Sequence, residues 1–313
     1  MEKLIISSSP HIHAKDTSQS IMRDVLIALA PAAVAGVVLF GLNALITILV
    51  CVASSVLSEF LFNLICKKPQ TVCDLSAAVT GLILALCLPA KAGIWQCIVG
   101  SVFAIVVVKC LFGGIGCNFA NPAATARVLL LVAFPAAIGG GVATVFTSPD
   151  LVAGATPLEL IKFGNTDSLP TLTDMFLGNR AGAIGETCIL ALVLGGIYLI
   201  VRKVIAWQVP VIYIGSVFVL SLIIKQNVAL ALYEVLGGGV VLAAFFMITD
   251  YVTTPINKLG KMAFALGCGI ITVLIRFWGS YPEGVSFAIL IMNILSPYVE
   301  KLCAAKPLGK VGK

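Results

Sequence analysis

The chain has 313 residues, 60% of them hydrophobic and only 11% charged. A soluble domain carries about 25% charged residues, so a fold bathed on all sides by water is excluded, and lipid must solvate its apolar faces. The formal net charge of +6 is too diffuse for nucleic acid, which needs clustered basic residues.

In chain order, Met1 to Ser20 is polar and lacks the apolar run of a cleavable signal peptide. Ten apolar runs follow, bounded by charges, Gly and Pro, at 22–41, 43–65, 74–89, 93–112, 122–146, 182–201, 207–224, 229–249, 259–278 and 284–302. Several approach the ~20 residues that cross a bilayer. The third is shorter and ends at Pro89, and the fifth is broken by Pro135 and Gly139-Gly140-Gly141. Interrupted spans are tolerated where the backbone is buried in protein or lines a cavity. The expected fold is therefore an all-α polytopic membrane protein with about ten transmembrane helices. Of the ten cysteines, Cys51, Cys87, Cys97, Cys188 and Cys268 lie inside apolar runs and read as buried small hydrophobes. Cys110 and Cys117 flank a glycine turn, where metal or cluster ligation is a second reading.

Placing the amino terminus in the cytoplasm puts fifteen of the twenty Lys and Arg residues inside. Only Lys91, Lys162, Arg180, Lys225 and Arg276 fall outside. That bias supports ten spans with both termini cytoplasmic. The expected organisation is a cytoplasmic segment 1–21, a first five-helix unit 22–146, an outer loop 147–181, a second five-helix unit 182–302, and a cytoplasmic tail 303–313. The stretch Leu75 to Leu82 resembles Leu236 to Ala243, each in the third span of its half. Lys109 ends the fourth span of one half, and Arg276 nearly ends that of the other. Five spans per half is an odd number, so such a repeat is inverted across the membrane.

Three polar islands carry the candidate chemistry. The first runs from Gly113 to Pro122 and holds Asn118 and Asn121. It reads either as a helix N-terminus suited to an anionic or carbonyl-rich ligand, or as an interhelical turn with Asn121 as N-cap. The second runs from Phe246 to Pro255 and holds Thr249 and Asp250. An acid at that depth is costly unless paired or functional, and the alternative is an interfacial Asp in water. The third is Ala153-Gly154-Ala155-Thr156-Pro157-Leu158-Glu159 in the outer loop. Thr156 as N-cap, Pro157 at the first helical position and Glu159 two residues on form a capping box. The same geometry suits a phosphate ester on the Thr156 hydroxyl, in the field of the helix dipole. Spacing alone leaves cap and acceptor both open.

Gly-Ala-Thr-Pro-Leu after five spans, with Gly-Gly-Ile-Gly-Cys-Asn-Phe-Ala-Asn-Pro before it and Phe-Met-Ile-Thr-Asp-Tyr-Val-Thr-Thr-Pro after it, resembles the RnfD/NqrB family. The likeness covers nearly the whole chain, and its moderate length is closer to the RnfD branch. Ala153 stands where the family often has Ser or Thr. The resemblance implies an electron-carrying membrane subunit of the Na⁺- or H⁺-coupled Rnf ferredoxin:NAD⁺ oxidoreductase, in the inner (cytoplasmic) membrane beside RnfA, RnfB, RnfC, RnfE and RnfG. It implies FMN esterified through its phosphate to Thr156, in the motif with Gly154 and Ala155, and a second, non-covalent flavin, riboflavin. The two amides Asn118 and Asn121, with Thr249 and Asp250 opposite them in the repeat, are the candidate riboflavin site. Ferredoxin oxidation and NAD⁺ reduction then fall to other subunits, and electrons pass from an outer flavin subunit to the FMN and on to the cytoplasmic-side flavin. Asp250, Asp74 and Glu59 are the acids to test for ion coupling. Two other classes remain: a solute channel or secondary transporter of inverted-repeat fold without redox role, and a ligand-free scaffold.

Overall fold

The structure, a computed structural model, describes residues 17–145, 153–165 and 168–304. Most of the expected amino-terminal segment, residue 146 at the end of the first unit, residues 147–152 and 166–167 of the outer loop, and residues 305–313 of the tail lie outside the described residues.

Helix α1, Ser18–Phe40, starts four residues before the expected span. Thr17 caps it, its Oγ1 accepting from Ser20 N at 3.2 Å. Gly41 alone joins α1 to α2, Leu42–Ile65. Its φ of +68° suits glycine and few other residues. The chain then makes a short 3₁₀ turn at Val72–Asp74 and passes through Leu75, also left-handed at φ 61°, into α3, Ser76–Cys87. Helix α4, Ile94–Cys110, widens to π geometry over Phe103–Cys110.

The fifth span is shorter than expected. Helix α5 covers Pro122–Ala133 and does not run to 146. Pro135 has no N–H for the helical ladder and opens a separate short helix α6, Pro135–Ile138. Beyond it the chain turns extended. Strand β1, Gly141–Val142, pairs antiparallel with β2, Ala153–Gly154, with Gly141 opposite Gly154. Helices α7, Pro157–Lys162, and α8, Leu172–Leu177, complete the outer loop. The sixth span also begins late, at α9, Ile189–Val201, not at 182. Residues 182–188 are occupied elsewhere. Gly182 bridges to Val142, while Ile184 N and Gly185 N donate to Leu88 O at 3.0 Å and Leu86 O at 2.8 Å. Those two bonds satisfy carbonyls that the end of α3 leaves open.

Helix α10, Gln208–Lys225, leads to a broken eighth span. Its parts, α11 at Val228–Leu236 and α12 at Val240–Phe246, meet at 55° across three glycines. Helices α13, Lys258–Trp278, and α14, Val285–Leu302, follow. Among the described residues five helices are long and apolar enough to cross a membrane, and the bent pair makes a sixth. Four shorter apolar helices, α3, α4, α5 and α9, bring the apolar units to the ten expected. Their outer faces stay apolar: Val34 and Val38 on α1 are 63% and 61% exposed. Such broad apolar exposure suits lipid and not water. The chain is an all-α, multi-pass membrane protein.

The two halves share an order of packing. Helix α2 packs on α3 and α4, as α10 packs on α11 and α13, while α1 meets α9 and α5 meets α14 across the middle. In each half a cation from the fourth span bonds to the end of a helix in the third. Lys109 Nζ donates to both oxygens of Glu59 at 2.9 Å and to Ser76 Oγ, at the start of α3, at 2.6 Å. Arg276 donates to Glu234 Oε2 at 3.2 Å, to Glu234 O, and to Gly237 O at 3.2 Å, at the end of α11. Two further ion pairs tie half to half: Arg202 with Asp24 at 2.9 Å, and Arg127 with Glu283 at 3.3 Å. Cys51, Cys87, Cys97 and Cys268 are buried, whereas Cys188 is half-buried. Cys110 is buried and Cys117 exposed, and no three potential metal ligands gather among the described residues.

Candidate functional site

Thr156 sits at the N-terminus of α7, and the capping box read from its spacing is formed. Its Oγ1 accepts from Glu159 N at 3.2 Å, and its own N–H donates to Glu159 Oε2 at 2.7 Å. The side chain is 7% exposed, while the neighbouring Ala155 is exposed. What fixes it is the strand pair, which the sequence does not announce. A Cβ on Gly141 would come within 2.7 Å of the Thr156 methyl, so only glycine leaves room for that contact. Gly154 lies against Ala143 and Ala181. Arg127, from α5, steadies the base of this shelf by donating to Ile138 O at 3.1 Å, just before β1. Arg180, next to the Ala181 that lies against Gly154, donates to Glu186 O at 2.5 Å. The motif is thus a small-residue shelf on a strand pair, with buried Arg127 bonded to the residue before Gly139 at its base.

The second candidate site lies at the junction of the halves. Asn118 and Asn121, from one half, and Thr249 and Asp250, from the other, line one recess. Its walls also carry Lys109, Ser76 and Thr80, over an apolar floor that includes Ile83 and Phe246. The recess has about 100 Å³ of space open to water-sized groups. The four residues are not equivalent. Asn121 Oδ1 caps α5, accepting from Ala123 N and Ala124 N at 3.1 and 3.2 Å, and its Nδ2 donates to Met247 O at 3.3 Å. Its N-cap role and its place in the recess therefore coexist. Thr249 Oγ1 donates back to Phe245 O at 2.7 Å. Asp250 accepts from Thr253 Oγ1 at 3.1 Å and Val252 N at 3.4 Å. Burial pushes the Asp250 carboxyl pKa upward, and these hydrogen bonds pull against that shift. Of the four, Asn118 alone has a buried polar atom, Oδ1, with no partner.

Beside this recess runs a larger groove of about 640 Å³, sharing Asn118, Tyr251 and Val252 with it. It contains a residue that sequence reasoning passed over. Asn293, in the middle of α14, is 4% exposed and neither its Oδ1 nor its Nδ2 has a partner. The only signal in the sequence is a lone amide within an apolar span. Of the three acids considered for coupling, Glu59 is 2% exposed and fully engaged by Lys109 and Thr71. Asp74 sits half-buried in the 3₁₀ turn before α3.

A short third span in one half and a broken one in the other, each fastened by a buried ion pair, with a polar recess where the halves meet, define a multi-pass membrane protein that is not a simple bundle. The chain belongs to the NQR2, RnfD, RnfE family, whose pattern it matches over residues 5–309. It is 46% identical over 310 residues to the D subunit of the Na(+)-translocating ferredoxin:NAD(+) oxidoreductase complex of Acetobacterium woodii, covering 98% of this chain and 95% of that protein. It is 41% identical over 316 residues to the D subunit of the proton-translocating ferredoxin:NAD(+) oxidoreductase complex of Clostridium ljungdahlii, covering 97% and 96%. It is 34% identical over 338 residues to the D subunit of the ion-translocating oxidoreductase complex of Halorhodospira halophila, covering 97% and 95%.

Proposed function

We propose that this chain is the D subunit of an ion-translocating ferredoxin:NAD⁺ oxidoreductase complex. It lies in the cytoplasmic membrane with both termini on the cytoplasmic side, alongside RnfA, RnfB, RnfC, RnfE and RnfG. Full-length similarity to proteins of that name carries the reading. The relatives are named for two different ions at 46% and 41% identity, so the reading extends to an ion-coupled complex and not to one ion.

Within it, the chain holds two flavins. FMN is joined through its phosphate to Thr156 Oγ1, and riboflavin is bound without a covalent link at the Asn118 recess. The residues fit both groups. At Thr156, the phosphoester forms by transfer of FMN from FAD. Oγ1 bonds to phosphorus, the pyrophosphate P–O bond breaks with AMP leaving, and the hydroxyl proton is lost, which the cap permits because Oγ1 takes part in it as an acceptor. The N-terminal N–H groups of α7 favour a nearby anion. At the recess, the unpartnered Asn118 Oδ1 offers an acceptor to a ring N–H. A bound flavin supplies the electron-transfer chemistry, while the protein fixes its position and surroundings. Glu159 and Gly141 hold Thr156 in place, and Asn121 and Asp250 set the walls of the recess.

Replacing Asn118 by Leu in the purified complex is expected to lower acid-releasable flavin about tenfold, the worth of one well-placed hydrogen bond. Covalent flavin on the same chain should be unaffected. Unchanged releasable flavin would remove riboflavin from this recess. Asn121→Ala is a less clean test, because loss of the α5 cap itself destabilises by about 1 kcal/mol.

A further inference from the structure

Like charges repel, so a pocket that gathers more cations than anions draws an anion to itself. Such a pocket lies where α7, α10, α11 and α13 meet, on the side that the charge bias makes outer. Its lining carries Lys162, Lys225 and Arg276 against one acid, Glu234. Arg276 and Glu234 pair at 3.2 Å, which leaves the two lysines of the lining without a carboxylate of their own. Lys162 Nζ rests on carbonyl oxygens, donating to Gly279 O at 2.6 Å and to Tyr281 O at 3.1 Å. Burial pushes the Lys162 ammonium pKa downward, and Glu234 only pulls against that shift. Lys225 Nζ lies 5.1 Å from the centre of the Phe277 ring. Glu283 approaches Gly238, as Arg276 does, but is taken by Arg127 at 3.3 Å.

The clustering runs against the composition of that side. Outer segments are poor in Lys and Arg, yet three of the five that the charge bias leaves outside meet in this pocket. Its surroundings indicate the kind of anion. About 90 Å³ is open to water-sized groups, and Leu158, Ile161, Phe277 and Pro282 make the rest of the lining apolar. Phe163 and Trp278, each next in the chain to a lining residue, are strongly exposed, as aromatic side chains are at the level of lipid headgroups. Ile223 on α10 and Leu274 on α13 are exposed nearby and offer apolar surface to acyl chains. We propose that this pocket holds the phosphate of an anionic phospholipid, with Lys162 and Lys225 supplying the charge that binds it. Only the naming of the leaflet as the outer one rests on the orientation proposed above. Lys162 belongs to α7, the helix that Thr156 caps, so the lipid ties that short helix to the ends of α10 and α13. The competing occupants are free phosphate and an acidic segment of a neighbouring subunit.

The test uses the purified, delipidated complex and a phosphatidylglycerol that carries a photoactivatable headgroup, with mass spectrometry of this chain to read where it attaches. Labelling should fall on peptides holding Lys162, Lys225 or residues 277–282. Unlabelled phosphatidylglycerol should compete about tenfold better than zwitterionic phosphatidylcholine, a comparison that needs no variant. Lys162→Gln and Lys225→Gln should each weaken phosphatidylglycerol binding about fivefold, and together about 25-fold, while Lys225→Arg keeps it. Equal competition by phosphatidylcholine overturns the anionic headgroup, and unchanged binding by the double variant overturns the role of the two lysines. Inorganic phosphate competing as well as phosphatidylglycerol assigns the pocket to a free anion and overturns the lipid. Labelling elsewhere on the chain, with these peptides untouched, leaves the pocket to a neighbouring subunit and overturns it too. If impermeant topology probes place the termini outside, the same labelling still supports the lipid and moves it to the inner leaflet.

Discussion

Thr156→Ala is expected to leave the denatured chain without fluorescent flavin on a gel, while Thr156→Ser keeps it. The contrast isolates the hydroxyl, because Ser restores both the cap and the nucleophilic oxygen. Loss of the cap alone is a small effect, about 1 kcal/mol against the roughly 5–15 kcal/mol that separates folded from unfolded protein. The Ala variant should therefore assemble normally, and absence of fluorescence would report chemistry and not misfolding. Gly141→Val tests the same site from outside the motif. The added side chain must displace the Thr156 methyl, which a Cβ would already approach to 2.7 Å. Fluorescence should fall although the hydroxyl remains. Covalent flavin persisting in Thr156→Ala would place the attachment elsewhere, and a chain with no flavin at all, covalent or released, would favour the channel or scaffold readings.

The capping box was legible in the sequence because every part of it is local. Thr156, Pro157 and Glu159 lie within one turn, and helix N-termini obey short-range rules. The apolar spans were legible for a similar reason, since lipid demands long runs and tolerates few charges. Their ends were less so. The fifth span looked continuous to 146 because Val142 and Val145 extend the apolar run, but Pro135 removes an N–H and the glycines that follow allow a strand. Residues 182–188 looked like the start of a helix, yet their amides serve the end of α3, far away in the chain. No local pattern encodes that. The meeting of Asn118 and Asn121 with Thr249 and Asp250 was accessible only through the likeness of the two halves. Asn293 was not accessible at all, because its meaning lies in the absence of a partner, and sequence does not show partners. Lys109 and Arg276 were seen as matching ends of the fourth spans, but Glu59 and Glu234, the acids that hold them, could be found only in three dimensions.

Lys109→Met should prove more damaging than removal of both charges at that site. Lys109 and Glu59 are each 2% exposed and 2.9 Å apart. Removing one partner leaves the other charged in a medium that cannot solvate it, which costs about 3–5 kcal/mol. The double change Lys109→Met with Glu59→Leu removes that stranded charge. It costs Ser76 Oγ its bond from Lys109 and Thr71 Oγ1 its acceptor on Glu59, although Thr71 Oγ1 still accepts from Asn63 Nδ2, about 1 kcal/mol for each lost bond. Thermal unfolding of the purified complex should rank wild type first, the double variant second and the single variant last. Equal stability of the single and double variants would mean that Glu59 is not left as a stranded charge, and that the pair is not what fastens α2 to α4. The same comparison bears on ion coupling. A carboxylate whose two oxygens are already held by an ammonium group has no vacancy for a passing cation. Ion uptake by vesicles containing the double variant should therefore continue, in proportion to the amount of folded complex. If uptake stops while the complex is intact and still reduces NAD⁺, Glu59 is a ligand on the ion path, and the bond to Lys109 is one that opens during turnover.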